Sequence, residues 1–97
     1  MGESLPDGLV LARTTDEFDE HTVPTGLLRN HRIATGVWGR LVVRAGALRF
    51  GFGDEDEFVV AAGASVVIPP DRVHHVAVAG PVRFAVEFHR APDTVES

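Results

Sequence analysis

Cysteine is absent from the 97 residues, which excludes disulfides, thiolate metal ligands and a cysteine nucleophile. Lysine is absent too, so the nine basic residues are all arginine; against fourteen Asp and Glu they leave a formal net charge of −5. No basic stripe gathers on any segment, and a nucleic-acid partner is not expected. No apolar run approaches the roughly 20 residues of a membrane span, and no basic-then-apolar leader opens the chain. A cytoplasmic location with no membrane partner is therefore expected. Glycine-rich phosphate loops, a Ser-His-Asp order, paired catalytic carboxylates and internal repeats are also missing, which sets aside NTPases and serine hydrolases. Helical periodicity never lasts beyond about a turn.

What remains reads as short β-strands. With 44% apolar and 24% charged residues, the composition is that of one globular domain, residues 1–97, with its core in about residues 6–90 and a flexible tail at 91–97. Strands are expected at residues 9–13, 37–44, 47–52, 58–61, 65–68, 73–78 and 82–89. Ala45-Gly46 is expected to turn the third segment back on the second as a hairpin, and Ala79-Gly80-Pro81 to close another. Residues 14–30 carry turn and cap residues and read as an extended arm with at most one helical turn, at 26–29. The spacing points to an all-β fold, a small sandwich or closed barrel.

The richest segment is Ile68-Pro69-Pro70-Asp71-Arg72-Val73-His74-His75-Val76. A rigid double proline ends one strand, because neither residue donates to a ladder, and two imidazoles open the next. Neutral imidazole is the commonest protein ligand for a divalent metal. His74 and His75 are neighbours in a strand and face opposite ways, so at most one is a ligand. In residues 82–89, Val82, Phe84, Val86 and Phe88 share a core face, while Glu87 and His89 point the other way. A carboxylate there needs solvent, an arginine partner (Arg40 or Arg83) or a metal. Trp38 is a core or pocket-wall residue, or stacks on a ligand. Arg40 and Arg49 are solvated or paired with acids, or else line a pocket for an anion. His21 lies in the arm and ranks last among the imidazoles.

Taken together, residues 18–31, residues 36–43, residues 46–50, Ile68-Pro69-Pro70 with His74, and residues 82–88 resemble the TehB/YeaR-like domain family, in the same order and over about residues 6–90. The resemblance implies a small cupin-like β-barrel, found alone or fused ahead of a methyltransferase in tellurite-resistance proteins. These 97 residues hold neither that second domain nor a nucleotide loop, so methyl transfer is not carried over. Residues 63–74 also fit the general cupin second motif, except that Asp71 stands where the motif commonly has glycine. The first cupin motif, a close His-x-His pair and a Glu, is not intact: His31 stands alone just ahead of the Trp38 strand, and no acid stands near Gly39. The implied metal ligands are His31, His74 and Glu87, with His75 and His89 in second rank, holding a divalent transition metal, Zn or Fe. Trp38, Arg40 and Arg49 are the candidate substrate-pocket residues. The expected function is a metal-binding protein that takes a small-molecule or oxyanion ligand, linked to tellurite or nitrosative stress. The alternative is a non-enzymatic small-molecule binding or dimerisation module without a metal. A homodimer is expected, since small barrels bury exposed sheet edges by pairing.

Overall fold

In the computed structural model, which describes residues 4–92, the chain runs through seven strands and one short 3-10 turn. The strands are β1 (Val10–Thr14), β2 (Phe18–Asp19), β3 (Val37–Phe52), β4 (Phe58–Ala61), β5 (Ser65–Ile68), β6 (His74–Ala77) and β7 (Val82–Arg90), with the turn at Thr25–Leu28. Every pairing is antiparallel. One leaf has the order β1-β7-β3-β5, with β2 also on β7; the other has β6-β3-β4. The all-β expectation holds. The expected flexible tail lies mostly outside the described residues.

Neither expected hairpin forms. Residues 37–44 and 47–52 are one continuous 16-residue strand, and Ala45-Gly46 is a bend inside it. Reversing a chain in two residues normally takes positive φ at one or both central positions, in a primed turn. Here Gly46 takes φ 71°, but a bulge between Val43 and Ala45 absorbs the irregularity and the strand continues. One extra residue in a strand shifts its side-chain parity. Leu41 and Val43 point inward before the bulge, and Leu48 and Phe50 point inward after it. Gly46 is also a point of close approach, because a Cβ there would lie 2.0 Å from the Pro81 carbonyl oxygen.

Because β3 serves both leaves, its two halves take different partners. β6 pairs with the second half (Phe50 opposite Val76) and β7 with the first (Leu41 opposite Val86). The Ala79-Gly80-Pro81 segment therefore carries the chain from one leaf to the other instead of closing a hairpin.

The core fills the space between the leaves. Phe50 and Phe84 are fully buried, with Leu41, Val43, Ile68, Val76 and Val82 around them. Phe50 meets Phe52 edge-on at 5.0 Å and tilts against Phe58 at 5.8 Å, geometries that add about 0.5–1.5 kcal/mol per pair beyond area burial. The arm is pinned at its start. Asp19 Oδ1 accepts the His21 and Thr22 N–H groups at 2.8 and 3.0 Å, and these bonds, the His21 one foremost, hold its carboxyl below the usual range. Glu20 accepts the Val82 N–H at 3.2 Å, tying the arm to β7. Phe18, Val23 and Leu27 then pack their side chains against the core.

Candidate functional site

Between the leaves, under the arm, lies a cavity of about 190 Å³. Its wall is apolar: Phe18 and Leu27 from the arm, Ile33, Leu41 from β3, Ile68 from β5, Val76 from β6, and Val86 and Phe88 from β7. Its polar side chains are Thr15, His31 and His74. The Thr15 hydroxyl is committed, accepting the Val86 N–H at 3.0 Å and donating to the Asp16 carbonyl at 2.9 Å.

The loop between β5 and β6 brings the two imidazoles together. After the double proline, Asp71 takes φ 63°, the left-handed conformation that Asp tolerates better than most residues. Its N–H donates to the Ile33 carbonyl at 3.0 Å, and its carboxylate accepts the Thr35 hydroxyl at 2.9 Å. That locks residues 31–35 beside the start of β6. There the N–H groups of His31 and His74 each donate to the other's carbonyl, at 2.8 and 2.9 Å. Their rings meet edge to face with centroids 5.3 Å apart.

His74 is only 2% exposed. Its ring lies parallel to Phe50 at 5.7 Å, and Nδ1 donates to the Arg72 carbonyl at 3.1 Å. A carbonyl only accepts, so the proton sits on Nδ1, and in the neutral ring Nε2 keeps a lone pair. Burial pushes the His74 pKa below the ordinary histidine value, and the neighbouring His31 and His75 push the same way, with the Arg72 bond opposing. His31 is exposed and stands on the solvent side of the pair.

Glu87 does not join them. Val86 and Phe88 line the cavity, and strand alternation turns Glu87 to the outer face of β7. There Glu87 Oε1 lies 3.0 Å from His89 Nε2 and 3.7 Å from an Arg40 nitrogen. Of the two arginines weighed as its partner, Arg40 takes the role; Arg83 sits 3.9 Å from Glu17. Trp38 is half-buried and opposite His89 in the ladder. Arg40 is the residue opposite Glu87 and also donates to Ser65 Oγ at 3.3 Å. Arg49 is exposed between Val59 and Ala77. None of these three lines the cavity, because all project from outer faces of β3. His75, also outward, pairs with Glu57 at 2.7 Å over Gly51, where a Cβ would lie 2.5 Å from the ring. His21 is exposed beside Glu20.

His31, His74 and Glu87 therefore do not come together in this structure. Catalytic zinc sites commonly draw three protein ligands, and among the described residues no group of three His, Asp or Glu comes together. The imidazole pair offers two donors. The cavity walls from the arm, Phe18 and Leu27, lie in the segment that carries the family resemblance but are not among the candidate pocket residues read from the sequence. Their signal was apolar spacing in a segment otherwise rich in turn residues.

Residues 13–86 match the TehB-like domain family. The chain belongs to that family. A relative is the uncharacterized protein YeaR of Escherichia coli O157:H7, 28% identical, with the match covering 94% of this chain and 86% of YeaR. Among solved structures, an E. coli K12 protein superposes with a TM-score of 0.83 at 24% identity, over 94% of this chain and 99% of its own. TehB from Haemophilus influenzae matches at TM-score 0.80 and 20% identity, over 88% of this chain but 32% of that one. A cupin-2 domain protein from Shewanella frigidimarina matches at 0.54 and 19%, over 87% of this chain and 72% of that one. This TehB-like domain thus has the cupin-like all-β fold expected from its sequence. No helix among the described residues is long and apolar enough to cross a membrane.

Proposed function

We propose that this TehB-like domain is a small-molecule binding module whose ligand occupies the cavity under the arm. The observation that carries this reading is an apolar cavity of about 190 Å³ with a buried imidazole in its wall. Pockets of this kind, apolar with few polar groups, are the usual form of a small-ligand site. A bound molecule that buries about 150–200 Å² of apolar surface gains on the order of 4–5 kcal/mol, which corresponds to affinities near millimolar.

A bare oxyanion is a poor occupant. The lining holds no arginine, and burying an unpaired charge costs several kcal/mol. Any part the domain plays in oxyanion stress is then through a neutral ligand.

Toluene tests the reading, since it asks only for apolar volume. It should raise the melting temperature of the wild-type protein saturably, by roughly 2–3 °C at a concentration equal to Kd. The shift should vanish in Leu27→Trp, which places an indole where the cavity is. No shift in the wild type, or an equal shift in the variant, contradicts the proposal.

A further inference from the structure

We infer that the cavity selects a small, uncharged, ring-sized molecule bearing one hydrogen-bond donor, a hydroxyl or an N–H, and that Nε2 of His74 accepts that hydrogen bond. The inference rests on the cavity being the ligand site, as proposed above, and adds what its ligand must be.

Size comes first. An apolar cavity of about 150 Å³ holds benzene, so this pocket of about 190 Å³, partly open to solvent, is large enough for one ring with one or two further heavy atoms. Polarity follows from what the wall has left to offer. The Thr15 hydroxyl already donates to the Asp16 carbonyl, so it has no second proton to give. His74 donates through Nδ1 to the Arg72 carbonyl. Its Nε2 is then an acceptor, and no carboxylate lines the cavity to partner an imidazolium. The parallel contact with Phe50 fixes the ring plane and the Nδ1 bond to the Arg72 carbonyl fixes its rotation within that plane, and together they set the direction of the lone pair. A ligand acceptor facing it meets repulsion, and an apolar group leaves it unsatisfied at a cost. A hydroxyl or N–H satisfies it. Cations find no counter-charge in the lining, and the one other imidazole there, His31, stands at the exposed side of the pair rather than in the apolar wall.

Phenol and toluene, nearly identical in shape, make the test. Both are titrated into the full chain in the presence of a chelator, with wild type and His74→Leu compared. The ratio of the toluene Kd to the phenol Kd should fall about ten-fold in the variant, because only phenol loses a bond there. The ratio, unlike either affinity alone, cancels the different water affinities of the two probes. A second measurement avoids the variant altogether. The Nε2 nitrogen resonance of His74 in the wild-type protein should move on adding phenol, in the sense of accepting a hydrogen bond, and stay still with toluene. If both probes bind with a ratio unchanged by the substitution and Nε2 does not respond, the donor rule is overturned while the cavity reading stands. If neither probe binds, both fall.

Discussion

Acidification should expose the buried imidazole. His74 is held neutral by burial, with its pKa below the ordinary histidine value near 6.5. In the unfolded chain the same ring takes up a proton as pH falls through that ordinary value, while in the folded state it does not until lower pH. The unfolded state therefore binds more protons in the interval, and stability rises with pH across it. Read downward, the folded protein loses stability once pH drops below about 6.5, at up to about 1.4 kcal/mol per pH unit for one full proton. The loss levels off when the folded-state pKa is passed. The measurement is urea unfolding at pH 7.5, 6.5 and 5.5 for wild type and His74→Leu. Acids and exposed histidines contribute alike to both chains, so the difference between the two slopes isolates His74. The wild type should fall more steeply below pH 6.5 by up to the stated amount. Parallel slopes would refute the claim that this imidazole is buried and uncharged.

Other consequences are independent of the ligand. Gly46→Ala places a methyl into the Pro81 carbonyl at a positive φ and should cost more than 2 kcal/mol in chemical unfolding. Glu87→Ala removes a half-exposed pair with Arg40 and His89, so its cost should stay within about 1 kcal/mol; it should also leave toluene binding unchanged. Protein purified without chelator should carry well under one equivalent of zinc or iron by elemental analysis, since Glu87 does not complete the imidazole pair.

Strand positions were legible because alternation of large apolar residues is a local signal. Val82, Phe84, Val86 and Phe88 share the face their spacing assigned. His74 turns inward and His75 outward, as adjacent strand residues must. Pairing partners were less legible. Ala45-Gly46 suits a turn or a bulge equally, and the choice is made by Val82 and Pro81 packing against it from elsewhere in the chain. Parity did carry the hint, since inward positions change from odd at Leu41 and Val43 to even at Leu48 and Phe50. The expected β6-β7 hairpin is likewise undone by long-range pairing, since β6 and β7 each take β3 as partner.

Part of the candidate site's geometry was legible. His31 and His74 meet through reciprocal backbone bonds, a long-range contact that local pattern alone does not contain and that the family resemblance supplied. Glu87 lies apart from the pair for a reason present in the sequence. A residue between Val86 and Phe88 cannot share their face, and those two are the ones that reach the cavity. Asp71 is instructive in the other sense. Where the cupin motif commonly has glycine, the chain keeps the glycine-like φ and recovers a bond to Thr35.

The central claim is that a small molecule sits between the leaves. Methyl resonances of the isotopically labelled protein, followed during a toluene titration, report this directly. Saturable shifts are expected at Ile33, Leu41, Ile68, Val76 and Val86, with the exposed Val10, Leu11 and Val59 unmoved. Shifts confined to those exposed residues, or none that saturate, would contradict it.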